Sequence, residues 1–182
     1  LALFFLAVIQ LVAIPASVFS YSYLGRYLDE GKSVAGTLLF FIALLLSTQL
    51  LVAANHAILF LVCWELMSTS AYLGMIFERE KTEVQTGSFY YIVISHVAMY
   101  FLFIFFLLLH HQSGSWMLSD FRLPSGSLTA LAACASAFIA FGIKAGFMPF
   151  HFWLPRAHPI APSVLSAFLS GVIIKMGIYG ML

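Results

Sequence analysis

Charge is what this sequence has least of. Only 8% of its 182 residues are Asp, Glu, Lys or Arg, against about 25% in a soluble domain. Eight basic and seven acidic side chains leave a net charge of +1. That excludes the strongly basic face that nucleic acid requires. Only two cysteines occur, Cys63 and Cys134, each inside an apolar run. Neither sits in metal-ligand spacing, which excludes a disulfide framework and a cysteine-held iron–sulfur cluster and leaves two small buried hydrophobes. A glycine-rich nucleotide loop and a haem-attachment motif are also missing. No cofactor and no metal is therefore expected in this chain.

What is present is apolar. Hydrophobic residues make up 63% of the chain, with 19 phenylalanines, and the mean hydropathy is +1.03. The expected class is an all-α polytopic membrane helix bundle. The chain opens on Leu1 with a long apolar run that lacks a basic leader, so residues 1–182 are expected to be an internal piece of a longer protein.

A bilayer core of about 30 Å is crossed by about 20 helical residues. The sequence supplies six such runs: Leu1 to Tyr23, Val34 to Ala53, His56 to Phe77, Gly87 to Leu109, Leu128 to Phe147 and Ala161 to Leu182. "AANH" between the second and third runs is short enough to force a tight hairpin. "EREKTE" (Glu78 to Glu83) and "HHQSGSWMLSDFRLPSGS" read as polar loops. After the fifth run, Pro149, Pro155, Pro159 and Pro162 fall within fourteen residues. No continuous helix absorbs that many interior prolines. The spacing predicts a helix that breaks between about Lys144 and Phe152, leaves carbonyls without their usual partners, and resumes briefly from Pro149 to Arg156. Pro162 suits the first turn of the sixth helix. With the broken helix counted as one crossing, Arg26, Lys32, Arg79, Lys81 and Arg156 lie on one side and Arg122 on the other. The basic side is expected to be cytoplasmic.

Three ionisable residues interrupt the apolar runs. Glu65 lies nine residues into its span, about 14 Å deep. Lys175 lies thirteen residues past Pro162, about 20 Å in. Lys144 borders the proline-made break. A lone charge at such depth costs from about 2.5 to more than 10 kcal/mol. Two explanations stand: a structural ion pair that locks helices together, or a protonatable relay. Burial penalises a charged lysine and a neighbouring carboxylate favours it, so moving Glu65 relative to Lys144 would switch the lysine between holding and releasing a proton. The expected arrangement has Lys144 facing Glu65, with Lys175 further along the same polar track. Of the histidines, His56, His110 and His111 read as interfacial. His96, mid-span, and the pair His151 and His158 read either as helix–helix and backbone hydrogen-bond partners or as relay members. Trp64, Trp116 and Trp153 read as packing and interface anchors.

"FGIKAGFMPFHFWLPRAHPIAPS", followed by "SGVIIKMGIYG", resembles the core signature of the antiporter-like membrane subunits. These occur in respiratory complex I, in group 4 membrane hydrogenases and in multisubunit sodium/proton antiporters. "CWELMSTSAYLG" is similar to the glutamate helix of the same family. The likeness covers about Val34 to Leu182, and "AHPIAPSVLSAFLSGVIIKMGIYG" most resembles the hydrogenase-4 component B or formate hydrogenlyase type. Arg156 occupies a position where many relatives carry an acidic residue.

The resemblance implies a larger fold of two inverted five-helix repeats, with residues 34–182 as the first. It implies proton-relay roles for Glu65, Lys144 and Lys175. The implied function is a proton-translocating subunit of a redox-driven complex of the hydrogenase-4, formate hydrogenlyase or NADH-quinone oxidoreductase type, with no redox centre of its own. A subunit of a multisubunit sodium/proton antiporter and a non-pumping membrane anchor for a hydrogenase are the alternatives. Expected partners are other membrane subunits of such an assembly and the lipid bilayer, not nucleic acid. The expected location is the cytoplasmic membrane of a bacterium or archaeon.

Overall fold

The computed structural model describes residues 1–29, 34–76, 80–122 and 126–182. Among these, six helical segments are long and apolar enough to cross a membrane. The first four spans are single helices: α1 (Ala2–Asp29), α2 (Ala35–Ala53), α3 (Ala57–Met75) and α4 (Thr82–Ser113). The fifth combines α5 (Leu128–Ala145), a 3-10 turn (Phe150–Trp153) and the one-turn α6 (Leu154–Ala157). The sixth combines α7 (Ser163–Phe168), a π-turn (Leu169–Ile173) and α8 (Ile174–Met181). Phe77 and Arg79, like Lys32, lie outside the described residues.

Each boundary has a local cause. His56 caps α3, its Nδ1 accepting from the Ile58 amide at 3.2 Å. This is a capping role that the interfacial reading of His56 did not contain. Ser127 caps α5 by accepting from the Ala130 amide at 3.0 Å. α4 is longer than the predicted Gly87 to Leu109 run: it starts at Thr82 and ends where Gly114 turns left-handed at φ 71°, because a backbone-bonded helix continues past the apolar stretch until something stops it. Beyond it, His110 stacks on Trp116 with ring centroids 3.9 Å apart. The same loop is pinned to the α2–α3 hairpin by Ala57 N–H to Trp116 O at 2.9 Å and Leu118 N–H to Asn55 O at 3.0 Å.

The core gathers where α3, α4 and α5 meet. Phe60 packs edge-on against Phe106 at 5.5 Å, and Trp64 against Phe141 at 5.5 Å. Lipid tails are as apolar as these rings, so helices are held by close fit rather than by escape from water. Gly177 marks the closest fit. A Cβ there would stand 2.7 Å from Phe141 O, so only glycine lets α8 rest on the α5 backbone. The outward faces of α1 and α4 carry exposed Leu3, Leu11, Phe89 and Tyr100, the pattern expected of lipid-facing surface.

Candidate functional site in the membrane interior

The break in the fifth span positions the site. α5 stops at Ala145 because Gly146 adopts φ 71°, a conformation that costs glycine little. The predicted loss of helical geometry is present. The carbonyls lose their usual partners, as expected, and take others: Ile143 O accepts from the Gly146 amide at 3.2 Å, while the Phe147 amide turns to Gly142 O at 3.0 Å. Trp153 Nε1 also donates to Ile143 O at 2.8 Å. Trp153 is therefore a packing anchor, as expected, and not an interfacial one. It is buried, and its indole gives Ile143 O a second hydrogen bond beside that from the Gly146 amide.

One residue further on, Lys144 is 1% exposed. Its Nζ donates to Ser68 Oγ at 2.8 Å from α3, and to Tyr91 OH at 3.1 Å and Ser95 Oγ at 3.4 Å from α4. The ammonium also lies 4.9 Å from the Tyr91 ring centroid and 5.8 Å from that of Trp64, within cation–π range. Ser68 passes its own hydroxyl hydrogen to Trp64 O at 3.0 Å, which leaves its lone pairs for the lysine. Tyr91 packs edge-on against Trp153 at 5.4 Å. Trp153 thus touches both the end of α5 and the wall of the lysine site. A hydroxyl both donates and accepts. All three can accept from an ammonium, and Tyr91 and Ser95 can also donate to the lone pair of a neutral amine.

Glu65 does not bond to Lys144. Its Oε1 lies 3.1 Å from His96 Nε2 and accepts from Thr69 Oγ1 at 3.3 Å, while its Oε2 is buried without a protein hydrogen bond. Glu65 and Ser68 are one turn apart on α3, and the serine is the one that reaches α5. Lys175 is half-buried and bonds the Ser170 carbonyl of its own helix at 2.5 Å. No hydrogen bond or ion pair joins it to Lys144 or Glu65 among the described residues. A second thread runs beside it: Ser170 Oγ donates to Ser166 O at 3.2 Å, and Ser166 Oγ meets His158 Nδ1 at 2.6 Å. His151 is exposed in the 3-10 turn. Arg156 stacks over the Tyr90 ring at 4.3 Å.

Sequence reasoning found both members of the carboxylate–imidazole pair and the lysine, but not Ser68, Tyr91 and Ser95 as its cage. One signal was available: hydroxyls at mid-depth on helices flanking a buried lysine, Ser68 three residues after Glu65 and Tyr91 four before Ser95. Among the described residues, no three His, Cys, Asp or Glu side chains cluster as metal ligands do.

A family profile described as "NADH:quinone oxidoreductase/Mrp antiporter, TM" matches residues 54–182. Hydrogenase-4 component B of Escherichia coli (strain K12) is 40% identical over 183 residues, which is 100% of this chain and 27% of that protein. A chain of the Mrp complex from Dietzia sp. superposes with a TM-score of 0.84 at 22% identity, covering 99% of this chain and 33% of that one. A chain of respiratory complex I from Thermus thermophilus superposes with a TM-score of 0.77 at 20% identity, covering 96% and 38%. The chain thus spans about a quarter to two-fifths of the length of these relatives, which are parts of multi-subunit membrane complexes. With six membrane-crossing segments, a broken fifth span and this match over residues 54–182, the chain is a multi-pass membrane protein that belongs to the NADH:quinone oxidoreductase/Mrp antiporter transmembrane family.

Proposed function

We propose that this chain is the first five-helix repeat, residues 34–182 with α1 preceding it, of a proton-translocating subunit in a redox-driven membrane complex. Lys144 carries the proton, and Glu65 and Lys175 extend the relay to either side. The observation that supports this most is the lysine cage. A purely structural lysine gains most from a carboxylate, which would hold it charged. Lys144 instead has three hydroxyls that accommodate either protonation state, beside a helix break where Gly142 O and Ile143 O already accept other hydrogen bonds. His151 and His158 support or extend the relay at the end of the broken span. The complex sits in the cytoplasmic membrane, with Lys81 and Arg156 on the cytoplasmic side. Its partners are other membrane subunits of a complex I-like or hydrogenase assembly.

The test is proton uptake by inverted vesicles that contain the full complex, with Lys144→Met and Lys144→Arg compared with the parent at equal assembly. Both are expected to lose translocation, because methionine holds no proton and arginine releases none. Normal pumping by Lys144→Met refutes the relay.

A second reading, a subunit of a multisubunit sodium/proton antiporter, draws on the likeness to the Mrp complex. It requires sodium to be moved, and sodium takes oxygen ligands. The lysine cage contains oxygens, but an ammonium at its centre repels a second cation. Proton movement that persists in sodium-free medium decides for the first reading.

A further inference from the structure

His96 fixes where one further proton must be. Its Nδ1 lies 2.8 Å from the Ile92 carbonyl oxygen. A carbonyl oxygen only accepts, so Nδ1 carries a hydrogen. The other ring nitrogen, Nε2, faces Glu65 Oε1 at 3.1 Å. In a neutral imidazole protonated at Nδ1, Nε2 has only a lone pair. An ionised carboxylate also has only lone pairs. Two bare lone pairs do not settle at hydrogen-bond distance, so this arrangement calls for a proton between them.

We infer that Glu65 and His96 form a proton-storage pair that holds one shared proton in mid-membrane. The stored form is imidazolium with carboxylate, or imidazole with carboxylic acid; both have zero net charge. The side chains are 46% and 33% exposed for His96 and Glu65. They lie on the outer flank of α3 and α4, away from the buried face of α4 that gives Tyr91 and Ser95 to Lys144. A net-neutral pair tolerates that position, where an isolated carboxylate would be costly. The charged groups that packed neighbours bring to α4 are Glu65 from α3, Lys144 from α5 and Arg156 from α6, the last stacked on Tyr90 about two turns away.

The role of the pair in transport rests on the reading of Lys144 as a proton carrier, and charge balance then dictates the sequence of states. With the pair loaded and Lys144 neutral, the net charge of the three groups is zero. When the proton passes to the Lys144 amine, a new N–H bond forms there and the bond between the proton and the pair breaks. The pair becomes −1 and the lysine +1, and the sum is again zero. The three groups together stay neutral at both stages, so the two charges that form are of opposite sign and their mutual attraction offsets part of their desolvation cost. His96 is thus a proton-holding residue rather than a packing histidine.

The test uses the full complex in lipid nanodiscs. Nitrogen-15 histidine spectra, with His96 assigned by His96→Gln, are expected to show Nδ1 protonated. They should also show either Nε2 protonated or Glu65 giving the infrared stretch of a protonated carboxyl that Glu65→Gln removes. A neutral ring protonated only at Nε2, beside an ionised Glu65, overturns the pair. The Glu65→Gln infrared comparison stands if His96→Gln does not assemble. In vesicles, His96→Gln is expected to lower proton translocation by about tenfold or more while redox turnover continues. Normal translocation by His96→Gln alongside failure of Lys144→Met overturns the pair and leaves the proposed function standing. Normal translocation by both variants overturns the two together.

Discussion

Lys144 draws its partners from two other helices, through Ser68, Tyr91 and Ser95, whereas Lys175 draws its partner, the Ser170 carbonyl, from its own helix. Both are lysines set in apolar helices next to an irregularity: a glycine-ended break for one, a π-turn for the other. A carbonyl on the same helix is available before any helices pack, so Lys175 can be held in any bundle and remains half-exposed. The hydroxyl cage exists only when α3, α4 and α5 are in register, and it encloses Lys144 completely. A carbonyl accepts from an amine in either state but cannot donate to the lone pair that a neutral amine gains. Hydroxyls serve both states. The physical difference is between a lysine tethered within one helix and a lysine whose protonation state is left open by its surroundings.

The comparison breaks most directly at Lys144. Lys144→Met is expected to lower proton translocation by about a hundredfold or more, with the assembled complex retained, as read by vesicle acidification. Lys144→Arg is expected to fail equally, since it keeps the charge and lacks a releasable proton. A normal rate for the arginine variant would make Lys144 an electrostatic post and erase its contrast with Lys175. Lys175→Met is expected to lose most translocation as well, but to leave the α3–α5 packing untouched, because its single bond is internal to its helix. Parallel measurement of thermal stability separates the two lysines: a drop for Lys144→Met and little change for Lys175→Met.

A smaller effect is expected at Trp153. Trp153→Phe keeps the ring against Tyr91 but removes one of the two donors to Ile143 O, at a cost of about 0.5–1.5 kcal/mol. Scanning calorimetry of the purified complex checks the stability loss. Translocation should fall less than for either lysine variant, since the cage itself is intact. The smallest perturbation concerns sidedness. A cysteine at Ser115 should react with an impermeant thiol reagent added outside, and one at Thr82 should not. The reverse pattern would overturn the assignment of the basic loops to the cytoplasm.

Much of the architecture was legible because membranes impose a simple requirement. An apolar run of about 20 residues is a helix there, since every backbone group must be satisfied within the segment. The break was legible because four prolines cannot all sit inside one helix. Glu65, Lys144 and Lys175 stood out because charge is rare in such runs. The π-turn at Leu169–Ile173 was not legible, as "LSGVI" contains no proline and only one glycine. Nor was the choice of partners. Glu65 and Lys144 are the natural pair on paper, yet the carboxylate bonds His96 and the lysine bonds hydroxyls. The same holds for Trp153, whose apolar bulk suggested an anchor and whose indole N–H also bonds the end of α5.

The sequence by itself determined that this chain crosses a membrane repeatedly, where the crossings fall, that the fifth is broken, and which three ionisable groups lie deep within it. These follow from local chemistry: apolar length, proline geometry and the cost of burying charge act on a segment whatever surrounds it. Only the tertiary structure decided which groups touch. Ser68, Tyr91 and Ser95 lie 76, 53 and 49 residues from Lys144 along the chain, and a rotation of α3 by one residue would bring a different side chain to the lysine. Contact depends on the rotation and register of helices packed side by side, and those are set by the fit of whole helix faces, such as Gly177 against the backbone of α5, rather than by any residue's own preference.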